Sequence, residues 1–256
     1  MVFVDSHAHL QWGSFDVDRE QVMDRAKKAQ VDWIVNIGFD LDGCLKGIKL
    51  AETYPNLYAA IGIHPHSANQ FNDKTLSTLK KLASKPKVVA IGEIGLDYFR
   101  NLSSKEAQMK AFTEQLVLAQ ELDLPVVIHD REAHTDVLQV LSEFRGKIKG
   151  IMHCFSGGKE IAQQCIELGF LVSFAGNVTY PKAYPLHEAA HWVNLEDMLI
   201  ETDCPFLTPQ EMRGRRNEPS YLSMTAKKIA ELKDVSVETV ATVTAKNAKA
   251  IYKIKN

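Results

Sequence analysis

The chain has 256 residues, 45% hydrophobic and 24% charged, the balance of a globular protein with room for one large α/β domain. Its formal net charge of −2 argues against non-specific capture of nucleic acid by bulk charge, though not against a local basic patch at a site. No apolar run reaches membrane-spanning length, no leader pattern opens the chain and no low-complexity tract divides it, so a cytoplasmic protein with no membrane contact and a single domain over residues 1–256 is expected.

Short apolar runs alternate with stretches of helical period along the chain. Residues 2–5 read as the first strand, followed by a helix over 16–30 with Val17, Val22, Met23 and Ala26 at helical spacing. Strand 33–37 leads to a helix over 41–54 that Pro55 stops. Strand 57–63 runs into His64-Pro65-His66, and Asp73 is placed to cap a helix over 74–84. Strand 88–91 ends at Gly92-Glu93, and Ser103 or Ser104 caps a long helix reaching Leu122. Strand 125–128 ends at His129, with a helix over 133–144 behind it; strand 150–152 ends at His153, with a helix over 159–168. Strand 170–174 precedes a helix over 182–193 whose start Pro181 and Pro185 blur. Strand 198–200 ends at Glu201-Thr202-Asp203, and helices over 220–233 and 236–251 follow. Eight strands alternating with helices, several of them continuous apolar runs, fit an eight-stranded parallel (β/α)₈ TIM barrel. No G-x-G-x-x-G follows the first strand, so a dinucleotide-binding open sheet has little support.

The strand ends carry the chemistry. His7 and His9 are two apart, so on a strand they face one way. Glu93, His129, His153 and Asp203 stand at four further strand ends, and in a barrel all of these converge on one mouth. Any one alone reads as an ordinary buried histidine or turn residue; together they read as a metal site. Mixed imidazole and carboxylate donors suit Zn²⁺, Mn²⁺, Fe²⁺ or Ni²⁺, whereas all-oxygen sites suit Mg²⁺ and Ca²⁺; the ions expected are Mg²⁺, Mn²⁺ or Zn²⁺. Six ligands exceed what one catalytic zinc takes and suffice for two divalent ions if Glu93 bridges them. His7, His9 and Asp203 are assigned to one ion and His129 and His153 to the other, with Asp203 also a candidate general base. Cys44, Cys154, Cys165 and Cys204 form no C-x-x-C pair and read as free thiols in a reducing compartment. Cys154 and Cys204 flank ligands and are expected to face away into packing.

Seven stretches carry a family resemblance. They are Asp5-Ser6-His7-Ala8-His9-Leu10, Gly62-Ile63-His64-Pro65-His66, Gly92-Glu93-Ile94-Gly95-Leu96-Asp97-Tyr98, Ile128-His129-Asp130-Arg131, His153-Cys154-Phe155-Ser156-Gly157, Glu201-Thr202-Asp203 and Arg213-Gly214-Arg215-Arg216-Asn217-Glu218-Pro219. The chain resembles the TatD family of metal-dependent deoxyribonucleases, within the wider amidohydrolase-type barrels. The resemblance implies a two-metal barrel hydrolase that cuts DNA from the 3′ end, with single strands preferred, and it places the family's metal ligands at the six positions above. Many related amidohydrolases bridge their metals with a carboxylated lysine; Glu93 and His129 stand there instead, which counts against the lactonase and phosphotriesterase branches.

A phosphodiester also needs charge neutralisation. Ser156 and the two glycines after it lead into a helix whose backbone N–H groups can meet a phosphate oxygen, or simply make a turn. Arg213, Arg215 and Arg216 fall in the loop after the last strand, where they either face a nucleic-acid backbone or form a solvated run; Glu218 is placed to orient that loop. His64, His66 and Arg131 are candidate substrate or leaving-group contacts. Tyr98 and Phe99 are candidates for base stacking, with core packing the favoured reading. The expected partner is therefore single-stranded DNA as substrate, with no obligate protein partner. A small-molecule amidohydrolase or esterase using the same dinuclear site is the alternative, because metal-activated water serves carbonyl and phosphoryl substrates alike.

Overall fold

A computed structural model describes residues 1–254. Eight strands, β1 (Phe3–Ala8), β2 (Val31–Ile37), β3 (Leu57–Ile61), β4 (Val88–Asp97), β5 (Val126–Arg131), β6 (Gly150–Met152), β7 (Phe170–Phe174) and β8 (Met198–Ile200), lie side by side in sequence order. Every neighbouring pair is parallel. Helices α1 (Arg19–Lys28), α2 (Leu41–Thr53), α3 (Asp73–Leu82), α4 (Lys105–Leu122), α5 (His134–Glu143), α6 (Lys159–Glu167) and α7 (Tyr184–Trp192) fill the crossovers; α8 (Leu222–Lys233) and α9 (Val237–Ile251) follow β8. The sheet closes on itself through a parallel bridge between Ala8 and Cys204. Backbone bonds from Asp203 N to His7 O and from His9 N to Cys204 O, both 2.9 Å, complete that seam. This is a nearly closed (β/α)₈ TIM barrel, as the alternation of strands and helices predicts.

Strand alternation divides the apolar residues into two cores. Val4, Val35, Ala60, Val127, Ile151 and Leu199, each from a different strand, pack together inside the barrel, and Ala245 and Ala248 of α9, with Tyr252 just after it, pack against them. Their sequence neighbours Phe3, Ile34, Ala59, Val126 and Ile200 join the larger core under the helices. No helix among the described residues is long and apolar enough to cross a membrane.

Three local departures from the sequence reading have clear causes. β4 is ten residues long, not four, because the glycine-rich motif after Ile91 does not leave the sheet: Ile94, Gly95, Leu96 and Asp97 pair with Ile128 to Arg131 of β5. Only glycine fits at Gly95, where φ is +142° and an added Cβ would lie 2.0 Å from the His129 carbonyl oxygen. The cap of α3 is Asn72 rather than Asp73. Asn72 is extended and its side chain accepts from the N–H groups of Lys74 and Thr75, while Asp73 stands in the first turn, where its charge complements the helix dipole. Finally, residues 219–221 form a 3₁₀ turn ahead of α8.

Candidate metal centre

β1 does not hold a simple alternation to its end. Its register against β2 shifts between Asp5 and Ala8, and His7 and His9 meet at the end of the strand. Their Nε2 atoms are 3.1 Å apart. Glu93 Oε2 lies 3.5 Å from His7 Nε2 and 3.6 Å from His9 Nε2, and Asp203 Oδ1 lies 3.5 and 3.3 Å from the same two atoms. The other carboxylate oxygen, Glu93 Oε1, faces a second group: His129 Nδ1 at 2.7 Å, His153 Nε2 at 2.8 Å and His64 Nε2 at 3.3 Å. All six residues expected as ligands thus meet at the carboxyl ends of the strands, around the two oxygens of one glutamate.

The hydrogen bonds behind the rings say which nitrogens can ligate. His9 Nδ1 donates to the Ile37 carbonyl at 2.9 Å, so in a neutral ring its Nε2 presents a lone pair. His153 Nδ1 donates to Glu201 at 3.2 Å, and His129 Nε2 donates to Asp97 at 3.1 Å; each likewise frees the nitrogen that faces Glu93. His64 is built the other way. Its Nδ1 accepts the His66 backbone N–H at 3.0 Å, so the neutral ring carries its proton on Nε2 and donates to Glu93. His64 belongs to the site as a donor, not as a ligand, although its ring lies within ligating range of Glu93 and His129.

This donor set fits a divalent cation. Ligand atoms about 2.0–2.1 Å from a tetrahedral zinc lie roughly 3.3–3.4 Å from one another. The spacings around His7, His9, Glu93 and Asp203 run from 3.1 to 3.6 Å. His7 Nδ1 is buried without a hydrogen-bond partner, and its ring stacks on His153 at 3.9 Å, so Nε2 is its one polar outlet. The second trio is closer, at hydrogen-bond lengths. Burial opposes ionisation of Glu93, but the imidazoles of His153, His64 and His129 hold its carboxyl well below the usual range. Burial likewise opposes charge on His153, and Glu93 and Glu201 raise it well above an ordinary histidine. The pocket is built for positive charge between these groups.

Further polar residues, most of them buried, hold this shell. Glu201 also accepts from the Cys154 N–H at 2.7 Å and from Ser173 Oγ at 2.5 Å. Asp5 spans the seam, taking the Thr202 N–H at 2.9 Å and its hydroxyl at 2.6 Å; burial pushes its carboxyl up to about 7 against those bonds. Asp97 takes His66 Nε2 at 2.8 Å beside His129, and the Arg100 N–H at 2.7 Å on its other oxygen. From α4, buried Gln108 and Gln115 bracket the backbone of Asp97 and Ile63, fixing the ends of β4 and β3. Asp97, Glu201 and the two glutamines were not singled out in the sequence. Asp97 and Glu201 lie inside the recognised stretches, whereas Gln108 and Gln115 carry no local signal.

The site floors a cleft of about 530 Å³, which His64, His66, Arg131 and Ser156 also line. Two expectations need correction, those for Phe99 and Cys154. The loop after β8 admits two readings, and Arg213, Arg215 and Arg216 are not among the residues lining that cleft. Arg216 makes a two-point pair with Asp18 at 2.7–2.9 Å, also donates to the Ser14 carbonyl and lies over the Phe15 ring, so it ties the loop to the start of α1. Arg213 lies over Tyr180, and both it and Arg215 are exposed. Glu218 anchors the same loop through Arg25, with bonds of 2.8 and 2.7 Å. Phe99 is 52% exposed rather than packed, with the Arg131 guanidinium 4.2 Å from its ring centre. Cys154 lies beyond the end of β6 at φ +45°, where strand alternation no longer applies, and it lines the cleft. All four cysteines are free.

Comparison with known proteins agrees with this geometry. The family described as TatD related DNase matches residues 4–253. An uncharacterized metal-dependent hydrolase, YabD of Bacillus subtilis, is 44% identical over 98% of both chains. A 3′-5′ ssDNA/RNA exonuclease, TatD of Pantoea vagans, is 37% identical over 98% of this chain and 99% of its own. The crystal structure of the Escherichia coli TatD homologue YJJV superposes with a TM-score of 0.93 at 30% identity, covering 99% of this chain and 98% of that one. The chain therefore belongs to the TatD family of metal-dependent hydrolases.

Proposed function

We propose that the protein is a two-metal phosphodiesterase acting on nucleic acid, a 3′–5′ exonuclease with single-stranded DNA as its preferred substrate. One observation supports the two-ion part: Glu93 Oε2 faces His7 and His9, beside Asp203, while its Oε1 faces the imidazoles of His129 and His153. His7, His9 and Asp203 would hold one ion and His129 and His153 the other, with Glu93 shared. When bound, such ions polarise a phosphoryl oxygen and make hydroxide available near neutral pH. The chain's own groups do the rest. Asp203 is at the cleft floor and opposed by burial, but His9 and His7 hold its carboxyl below the usual range, so it stands ionised to accept a proton. His64 keeps a proton on Nε2 and is positioned to donate to a departing or equatorial oxygen. Arg131 and Arg100 line the same cleft without carboxylate partners among the described residues, and supply charge for flanking phosphates. The nucleic-acid substrate is taken from the relative named as an ssDNA/RNA exonuclease and from these two cations.

The test is release of nucleotides from 3′- or 5′-labelled single-stranded DNA and RNA with Mg²⁺, Mn²⁺ and Zn²⁺ compared, beside a panel of carboxylic esters and amides. Chelator-sensitive shortening from the 3′ end is expected. Turnover confined to the esters or amides would overturn the proposal in favour of a small-molecule hydrolase on the same barrel.

A further inference from the structure

The two walls of the cleft are chemically unlike. The loops after β1, β2 and β8 contribute Trp12, Phe39 and Phe206, and these three strands adjoin one another across the seam. The loop after β4 and the last residue of β5, on the far side of the barrel, contribute Arg100 and Arg131. Trp12 touches both phenyl rings, with centroids 5.1 Å from Phe39 and 5.3 Å from Phe206. Both phenyl rings flank His9, at 6.0 and 6.1 Å. The aromatic wall therefore stands one ring away from a ligand of the metal centre.

This wall is not core. Trp12 is 38% exposed and Phe206 43% exposed, although both are large apolar side chains. Among the described residues the exposed aromatic side chains are Trp12, Phe99, Tyr184, Trp192 and Phe206; Trp12 and Phe206 line this one cleft, and Phe99 lies against Arg131 at its edge. Exposed apolar surface gathered at a polar catalytic cleft marks a ligand contact more than a packing accident. A π-face beside a phosphate-binding centre suits a planar heterocycle joined to a phosphate, and aromatic stacking accepts any base because every base has a π-face.

We propose that Trp12, with Phe206 and Phe39 behind it, is a nucleobase-stacking subsite that holds the base of the nucleotide whose phosphate sits over the metal centre, leaving the Arg100–Arg131 wall for the phosphates that flank it. The proposal rests on the nucleic-acid reading above and adds a residue-level reason for it. It also accounts for a substrate preference: a base in a duplex is stacked on its neighbours and cannot lie on the Trp12 face, whereas a base in a single strand can.

The experiment measures equilibrium binding of deoxyadenosine 5′-monophosphate and of 2-deoxyribose 5-phosphate to the Mg²⁺-loaded protein, by tryptophan fluorescence and by calorimetry. Wild type should bind the nucleotide about tenfold more tightly than the sugar phosphate, and only the nucleotide should quench fluorescence. Trp12→Ala should lose that tenfold preference while leaving sugar-phosphate affinity unchanged; Trp12→Phe, which keeps a ring, should restore most of it but not the quench. The same two variants should differ in KM for single-stranded DNA far more than in kcat. Equal binding of the two ligands by wild type, or an equal loss on both in Trp12→Ala, overturns the subsite. Its failure is distinguishable from failure of the nuclease reading. A protein that shortens DNA yet shows no base preference loses only the subsite, whereas one that prefers the nucleotide but leaves DNA and RNA intact keeps the subsite and loses the nuclease reading.

Discussion

Asp97→Asn tests the tautomer argument on which the second half of the site depends. Asp97 accepts three donors: His66 Nε2 at 2.8 Å and His129 Nε2 at 3.1 Å on Oδ2, and the Arg100 N–H at 2.7 Å on Oδ1. An asparagine has one acceptor oxygen and one NH₂. With the oxygen toward the imidazoles, the NH₂ meets the Arg100 N–H, a donor-to-donor contact at a fully buried residue that costs about 1–3 kcal/mol. With the amide turned round, the NH₂ donates to His129 Nε2. That forces the ring's proton onto Nδ1, the atom 2.7 Å from Glu93, and a protonated nitrogen cannot ligate. Either outcome should weaken ion binding at His129 by about 10–100-fold, or roughly 1.4–2.7 kcal/mol. The ion held by His7, His9 and Asp203 should keep its affinity. Titrating the metal-free protein with Zn²⁺ against a competing chelator, and counting ions per chain, resolves the two classes. Two ions retained at wild-type affinity would refute the reasoning, because Asp97 would then not be what sets the His129 tautomer.

Glu93→Gln replaces the shared carboxylate by an amide with one acceptor, so elemental analysis should find fewer than two ions per chain; full double occupancy contradicts the bridge. Arg216→Ala should leave KM for single-stranded DNA within about twofold, because its guanidinium is already committed to Asp18, whereas Arg131→Ala should raise KM several-fold by removing an unpaired cation from the cleft. His134, bonded through Nδ1 to Asp130 at 2.6 Å, has its affinity for a proton raised by that bond. A raised histidine contributes stability in full below its ordinary value of about 6.5, and loses it as pH rises through the raised value. Urea unfolding should therefore show His134→Gln less stable than wild type at pH 5.5, with the gap narrowing toward pH 9. A gap that widens with pH contradicts the assignment.

The barrel was readable because its signal is repeated. Each apolar run of three to seven residues is short, but eight of them alternating with helical periods leave few other architectures. The ligands were readable because histidine, glutamate and aspartate at strand ends are uncommon partners for apolar runs. What surrounds them was less so. Gln108 and Gln115 sit in a helix where nothing local separates a buried glutamine from a solvated one; it is the backbone groups of Asp97 and Ile63, on other elements, that draw their side chains into the site. Arg216 failed for the same reason in reverse: its loop is correctly placed after β8, but Asp18, almost two hundred positions earlier, captures its side chain. Trp12, Phe39 and Phe206 were overlooked because aromatic residues near strand ends default to the core. Their meeting at the lip depends on β1, β2 and β8 being neighbours in space.

The seam between β1 and β8 has a consequence for how the protein comes into being. The backbone bonds that close it run between His7, His9, Asp203 and Cys204, so the stretches that bind metal are also the stitches of the barrel. Those stitches join the two most distant strands in the chain, the kind of contact that forms late and slowly. A nascent chain that has not yet made β8 lacks Asp203 altogether, and so lacks one member of the candidate metal centre. An ion held between His7, His9 and Asp203, as proposed above, would bind only the closed barrel and pull the equilibrium toward it by mass action. Chemical competence and completion of the fold are in this chain the same event.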